Sequence, residues 1–170
     1  MATTFGSPDE SPYLANSGRL ADVIAAIQAM GTYKFYKLTF EGWADRITAN
    51  KNQALYWKNV FEQHPEFFRL DGAREKASLV WRRQYPKRYH VDLEKRLSVQ
   101  EYKALTEDQK DRVSRDPLTP EDIKTLVDTA INLHSRALES EHARKWWIPL
   151  ASSAIGGLVG AVLGVFLHAK

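Results

Sequence analysis

An uncharged apolar segment near the C-terminus constrains this chain more than any other feature. Residues 146–167 read WWIPLASSAIGGLVGAVLGVFL, 22 residues without a charged side chain. A helix rises about 1.5 Å per residue, so about 20 apolar residues cross a hydrocarbon core of roughly 30 Å. Arg144 and Lys145 precede the segment, and its two tryptophans suit a membrane interface. The pattern predicts a single C-terminal transmembrane helix; the alternative is a buried core helix.

The flanking charges predict how such a helix would be oriented. Residues 1–18 have neither the basic nor the apolar part of a signal peptide. Basic residues are more frequent before the apolar segment than after it, which favours an N-terminal part on the cytoplasmic side. We therefore expect a tail-anchored, single-pass membrane protein with a cytoplasmic N-terminal domain, most simply in a bacterial inner membrane.

Small residues recur every four positions within the apolar segment. This spacing aligns them on one face of a helix and allows two helix backbones to approach closely, which favours association in lipid. The pattern predicts a homo-oligomer formed through the transmembrane helix, although glycine is also common in membrane helices that do not associate. The residues concerned are Ser152, Gly156, Gly160 and Gly164.

The rest of the chain has a basic middle. The whole sequence carries 24 Lys and Arg against 21 Asp and Glu, but residues 34–103 hold 15 basic and nine acidic side chains. An anionic partner is therefore expected to meet the middle of the chain. The sequence has no cysteine, which excludes a disulfide framework, a thiolate zinc site and a cysteine nucleophile.

Hydrophobic periodicity and caps predict the order of the elements before residue 97. Residues 1–16 show no periodicity and are expected to form a disordered leader. Helical spacing predicts a first helix over about 18–30 and a third over about 51–63, with a brief second helix after Thr39. An extended segment is expected over 33–38, and two β-prone runs around Asp71-Gly72 predict a hairpin.

The order helix, strand, helix, helix, hairpin resembles that of a winged-helix domain over about residues 17–90. The phrase YWKNVFEQHPEFFRLDGAREKASLVWRR is similar to the third helix and wing of such domains, without an invariant motif. The resemblance implies an α+β fold with a small winged-helix-like cytosolic domain at 17–97; the alternative is another small α+β fold. Alternation in the second hairpin strand places Leu79 and Trp81 inward and Val80 and Arg82 outward.

Residues 98–145 are predicted to form a helical juxtamembrane region between the domain and the span at 146–167. Ser98 and Thr106 each begin a sequence with capping-box spacing. Pro120, followed by two acidic residues, is typical of the first turn of a longer helix.

The basic surface of the hairpin and the outer face of the third helix are the candidate contact sites. Amide side chains can pair with adenine, and basic side chains can hold phosphates. The alternatives are a protein partner, or anionic lipid beside the membrane. The residues predicted to bind nucleic acid or a partner are Asn52, Tyr56, Asn59, Gln63, Arg74, Lys76, Arg82, Arg83, Lys87 and Arg88.

No sequence motif predicts catalysis. The five histidines lie in unrelated surroundings, and His134 and His142 are eight residues apart, which is not the one-turn spacing of paired helical ligands. Phosphate-binding glycine loops and nucleophile elbows are missing from the sequence. We therefore expect no enzyme, cofactor or metal site.

Two functional hypotheses follow from these patterns. In the first, the tail-anchored protein binds nucleic acid or a protein partner at the membrane through its winged-helix-like domain. In the second, it is a self-associating membrane effector or scaffold whose cytosolic domain senses a partner, and in the sharpest form of this hypothesis it perturbs the membrane when triggered.

Overall fold

The computed structural model describes residues 11–145, with side chains through residue 143. It is an α+β structure of short strands and helices. Its first part comprises α1 (Arg19–Thr32), β1 (Lys37–Thr39), α2 (Phe40–Thr48), α3 (Ala54–Gln63), β2 (Phe68–Leu70) and β3 (Lys76–Leu79). Its second part comprises β4 (Tyr89–His90), β5 (Lys95–Arg96), α4 (Val99–Lys103), α5 (Glu107–Lys110), β6 (Val113–Ser114) and α6 (Pro120–Lys145).

Local capping explains where the helices begin. The Thr39 hydroxyl accepts a hydrogen bond from the Gly42 amide at 3.2 Å, so α2 starts at Phe40. Ser98 and Thr106 both form the predicted capping boxes, with Glu101 and Gln109 respectively. Because each cap satisfies orphan amides through its own side chains, α4 and α5 form although they are only one turn long.

The predicted hairpin is present, and β1 pairs with it to give a three-stranded antiparallel sheet in the order β1-β3-β2. Side chains alternate between the two faces of the sheet. One face carries Leu38, Ala77 and Leu70 toward the core, and the opposite face carries a row made of Lys37, Ser78 and Arg69. The sheet therefore separates an apolar interior from a polar outer row.

Aromatic side chains dominate the core beneath this sheet. Trp43 is fully buried, and its indole N–H donates to the Ala77 carbonyl at 2.9 Å, which ties α2 to β3. Trp57 and Phe61 of α3 pack against one another, and Phe61 contacts Phe68 with 5.0 Å between ring centroids. Burial of several large aromatic surfaces supplies most of the driving force for packing α2 and α3 on the sheet.

Residues beyond the domain boundary that the sequence predicts at residue 97 pack on the first part of the chain. Helix α6 lies against α1 so closely that a β-carbon at Gly31 would stand 3.1 Å from Ile123. The second sheet, in the order β5-β4-β6, is joined to the first by a 2.9 Å hydrogen bond from the Tyr36 amide to the Ser114 hydroxyl. These contacts fix β6 and the residues after it beside the outer row of the first sheet.

The predicted facing of the hairpin is wrong beyond Leu79. Strand β3 ends there, and a 3-10 turn covers Trp81–Gln84. The period of two applies only to extended backbone, whereas a 3-10 turn advances about 120° per residue. As a result Arg82 is fully buried, and Trp81 is only half-buried.

The start of the described chain also differs from the expected leader. Residues Pro12–Leu14 form a 3-10 turn, and Tyr13 is buried against the core. Its hydroxyl donates to Glu66 at 2.9 Å, and its ring meets His64 edge-on at 4.5 Å. A single buried aromatic side chain therefore orders residues that lack any periodic signal.

The predicted membrane architecture is corrected. Within residues 11–145, none of the helices is both long and apolar enough to cross a bilayer. The longest, α6, carries charged residues along its whole length, beginning with Glu121 and Asp122. The structure therefore does not support a tail-anchored, single-pass protein or a membrane location. The predicted span at 146–167 and its association residues Ser152, Gly156, Gly160 and Gly164 lie outside the described residues.

Candidate anion-binding groove

An open groove of about 570 Å³ lies on the outer face of the first sheet. The row Lys37, Ser78 and Arg69 faces outward, and this row forms part of the lining. Residues of the α3–β2 connection, the hairpin loop and the segment after β6 complete the groove. The lining side chains that carry charge are Lys37, Glu62, Arg69, Asp71, Arg74, Arg83 and Arg115.

Five cationic side chains and two carboxylates therefore face the same groove. Two cations are paired: Arg74 donates to Glu62 at 2.6 Å, and the Lys37 ammonium lies 3.7 Å from Asp71. Within the described residues, neither Arg69 nor Arg83 forms an ion pair. The groove thus keeps unpaired positive charge that an anionic ligand can meet.

Asp71 organises the loop at the end of the groove. Its carboxylate accepts from the amides of Glu75 and Lys76 at 3.0 and 3.2 Å, and its own amide donates to the Lys76 carbonyl. Desolvation raises the pKa of Asp71, but these backbone amides and Lys37 more than offset it, so the pKa lies below its ordinary value. Asp71 is consequently ionised at neutral pH and holds the loop that presents Arg74.

Arg115 and Tyr36 form the only pair of a cation and an aromatic ring among the described residues that line the groove. The guanidinium carbon lies 5.0 Å from the centroid of the Tyr36 ring, within the range of a cation–π contact. The same guanidinium donates to the Tyr85 carbonyl, and its Nε atom is buried without a partner. Arg115 is therefore held in place by protein contacts rather than free in solvent.

Arg82 was predicted to be a contact residue on the hairpin surface, and this placement is wrong. Its guanidinium is fully buried and donates to four carbonyl oxygens at 2.6–3.0 Å. Two acceptors, Met30 and Tyr33, lie at the C-terminal end of α1, and the other two belong to Arg115 and Asp116. Arg82 therefore fixes the backbone of Arg115 relative to α1 and positions that side of the groove.

Burial also changes the acidity of Arg82. Desolvation lowers the pKa of its guanidinium to about 10, against the opposing influence of Asp116 and Tyr89. The group stays protonated at neutral pH, and its charge is balanced by carbonyl dipoles, including those at the negative end of the α1 macrodipole. This is a structural role, since the side chain has no exposed atom to offer a ligand.

The four side chains that were predicted to form a recognition face on the third helix differ in their exposure and contacts. Asn52 and Asn59 are exposed. Tyr56 is engaged within the protein, because its hydroxyl donates to Asp22 and the Arg19 guanidinium lies 5.8 Å from its ring. Gln63 is half-buried, and its side-chain oxygen is enclosed without a partner. The four side chains therefore do not form one free polar surface.

Of the predicted basic contact residues, only Arg74 and Arg83 line the groove. Lys76 and Lys87 are exposed elsewhere, and Arg88 is half-buried. A contact role for the three residues outside the groove stays a prediction.

Three further groove cations were missed as contact residues. The triplet Phe68-Arg69-Leu70 contains the signal for Arg69, since two apolar neighbours that face the core in a strand place the residue between them on the other face. Lys37 follows from the same rule once β1 is paired with β3. No local sequence pattern predicts that Arg115 lies in the groove. It reaches the groove because Arg82 and β6 hold the chain there.

The cluster of Tyr13, His64 and Glu66, of which the first two are buried, is the main alternative centre for chemistry. His64 Nδ1 lies 3.1 Å from the Glu66 oxygen that accepts from Tyr13. Burial would raise the pKa of Glu66, but the hydrogen bonds from His64 and Tyr13 contribute to a net lowering. His64 is fully enclosed, so the cluster offers no substrate access at that side chain. In the part of the chain that the structure describes, no three His, Asp or Glu side chains converge as metal ligands.

Comparison with known proteins adds no assignment. No family model, no curated protein and no solved structure matches this chain. The winged-helix assignment therefore has no support from a relative or a structural neighbour, and the supported description is an α+β fold with small sheets and helices.

Proposed function

We propose that this protein is a nucleic-acid-binding module that holds its ligand in the basic groove, and that it is not an enzyme. The observation that carries the proposal is the convergence of five cationic side chains on one open groove, three of them without an ion-pair partner among the described residues. Phosphate groups supply most of the affinity in nucleic-acid complexes, and they require this kind of surface.

The type of cation favours phosphate as the ligand group. Four of the five cationic residues in the groove are arginines. A guanidinium presents its donors as a planar fork that matches phosphate oxygens, whereas an ammonium acts as a point charge. Carboxylates of an acidic protein would also fit such donors, but they would make no use of the aromatic ring of Tyr36.

The groove is also built on a rigid base. Ser78 of the floor lies on the central strand, and its hydroxyl donates to the Arg69 carbonyl at 3.3 Å. Arg82 fixes the backbone on the Arg115 side through four hydrogen bonds. A preorganised surface loses little conformational entropy on binding, which favours affinity.

The test is the affinity of the full-length protein for fluorescein-labelled DNA, measured by anisotropy at low and moderate salt. We expect Arg83→Ala to weaken binding roughly three- to tenfold, because one phosphate contact is lost. Lys87→Ala is the matched control, since it removes one exposed positive charge outside the groove. It should change the affinity less than twofold.

Three results would count against the proposal. The first is the absence of any DNA binding by the folded protein at low salt. The second is a Lys87→Ala variant that loses as much affinity as Arg83→Ala, which would place the contact at the end of the hairpin region instead of in the groove. Binding of polyglutamate in preference to DNA would identify an acidic protein as the partner and would also count against the proposal.

A further inference from the structure

We infer that the groove takes single-stranded nucleic acid and that a base stacks on the Tyr36–Arg115 pair. This inference rests on the proposed function. It specifies that the nucleic acid is single-stranded, and that Tyr36 distinguishes it from polyanions without bases.

The size of the groove favours a single strand over a duplex as its occupant. A volume of about 570 Å³ falls within the range of sites that enclose one drug-sized molecule, about 300–1,000 Å³. That space admits one or two nucleotides. A double helix is much larger than this space, so it would rest on the rim and leave the floor unused.

The alternative duplex mode, with α3 in a major groove, is disfavoured by the contacts of that helix. The Tyr56 hydroxyl donates to Asp22, the Arg19 guanidinium lies 5.8 Å from its ring, and the Gln63 oxygen is enclosed without a partner. Leu55, which is 77% exposed on the same helix, offers no hydrogen bond to a base edge. Reading a major groove requires side chains that donate to or accept from base edges, and of the four predicted recognition residues only Asn59 and Asn52, which precedes α3, remain.

Proteins that bind single-stranded nucleic acid commonly do so with a surface that combines cationic and aromatic side chains. The cations follow the phosphates, and unstacked bases pack on aromatic rings or guanidinium planes. The floor provides Lys37 and Arg69 on the two edge strands, roughly 10 Å apart given the usual spacing of neighbouring strands. Tyr36 precedes Lys37 directly and lines the same groove beside Arg115.

Tyr36 is suited to stacking because its position is fixed while its side chain is only half-buried. Its amide donates to the Ser114 hydroxyl, and the Arg115 guanidinium near its ring is itself held by the Tyr85 carbonyl. A base that enters the groove therefore meets an ordered aromatic and cationic surface. Because every base has a π-face, such stacking is expected to be tolerant of sequence.

The experiment compares three ligands with the full-length protein: a labelled 12-nucleotide single strand, the duplex of the same sequence, and inorganic polyphosphate as a competitor. We expect the single strand to bind at least tenfold more tightly than the duplex. Tyr36→Leu should weaken single-strand binding roughly tenfold, whereas Tyr36→Phe, which keeps the ring, should retain it. Neither variant should change the affinity for polyphosphate, and that unchanged affinity also shows that the groove is intact.

The outcomes separate the inference from the function on which it rests. Equal or tighter binding of the duplex, or a Tyr36→Leu variant with unchanged single-strand affinity, would overturn the single-strand inference while leaving a polyanion groove in place. Failure of all three ligands to bind would overturn the proposed function itself.

Discussion

Arg82 and Arg83 are neighbours in the sequence and opposites in the structure. Arg82 is enclosed, and its guanidinium donates to four carbonyl oxygens from two distant parts of the chain. Arg83 is exposed and lines the groove without an ion pair in the described region. Arg82 stabilises the backbone beside the groove, and Arg83 is available to a ligand in the groove.

The difference shows why a basic run in a sequence overstates the basic surface of a protein. Each arginine adds one charge to the sequence count, but a buried guanidinium saturated by carbonyl groups contributes hydrogen bonds rather than a binding surface. The 3-10 turn after Val80 decides which of the two residues turns inward. Substitutions at buried positions should therefore act mainly on stability, and those in the groove should act mainly on binding.

The largest effect is expected from Arg82→Ala. The substitution leaves four buried carbonyl groups without their donor and removes a packed side chain, so the free energy of unfolding should fall by about 3–5 kcal/mol. Urea unfolding of the full-length protein measures this. Arg82→Lys keeps the charge but not the fork of donors, and its loss should be intermediate. A loss below about 1 kcal/mol for Arg82→Ala would mean that the residue is not buried as described.

The next largest effect compares two apolar neighbours at the end of β3. Leu79 is fully buried, so Leu79→Ala should lower the free energy of unfolding by about 2–5 kcal/mol. Val80 is 39% exposed, and Val80→Ala should cost less than about 1 kcal/mol. Thermal or urea unfolding of both variants locates the end of the strand. Similar losses for the two would contradict the turn of the chain at Val80.

A smaller effect is expected on binding from Glu62→Gln. Glu62 neutralises Arg74 in the groove, so its removal should release that cation and raise the affinity for single-stranded DNA roughly two- to fivefold. Asp108→Asn, which removes one exposed carboxylate outside the groove lining, is the matched control and should have little effect. An equal gain in both variants would indicate net charge alone, not the groove.

The smallest effect concerns the dependence of stability on pH through Glu66, in the cluster with Tyr13 and His64. Hydrogen bonds from His64 and Tyr13 contribute to holding the pKa of Glu66 below its ordinary value of 4.5, despite the opposing effect of burial. Glu66 therefore stabilises the fold above about pH 4.5, and this contribution is lost as the pH falls through its lowered pKa. Because its side chain is 35% exposed, the contribution should stay below about 1 kcal/mol.

Unfolding of the Glu66→Gln variant over a pH series checks this prediction. The native protein should exceed the variant in stability at pH 6–7, and the difference should shrink below about pH 4.5. A difference that is constant across the series would show that ionisation of Glu66 makes no contribution.

The sequence predicted those parts of the fold that depend on local rules. Thr39, Ser98 and Thr106 cap their helices because a hydroxyl and the following amides suffice. The hairpin around Asp71 forms for the same kind of reason, with turn chemistry between two β-prone runs. In both cases the decisive atoms lie within a few residues of each other.

The parts that the sequence did not predict depend on distant partners. Arg82 turns inward because carbonyl groups 33–52 residues away accept its hydrogen bonds. Arg115 enters the groove through the pairing of β6 with β4, the hydrogen bond that its carbonyl accepts from Arg82, and the contact with Tyr36. The uncharged segment at 146–167 favoured a membrane span by composition alone, and the structure of the described residues provides no helix that supports one.

Contact between phosphates and the unpaired arginines of the groove is the core of the proposed function, and salt dependence tests it most directly. The measurement is the affinity of the full-length protein for a single-stranded 12-mer across salt concentrations, compared with that of the Arg69→Ala/Arg83→Ala variant. The logarithm of the association constant falls linearly with the logarithm of the salt concentration, and each lost phosphate contact should make this fall less steep by about 0.7. We therefore predict that the slope of the variant is less steep by about 1.4. An unchanged slope in a variant that remains folded would contradict this contact.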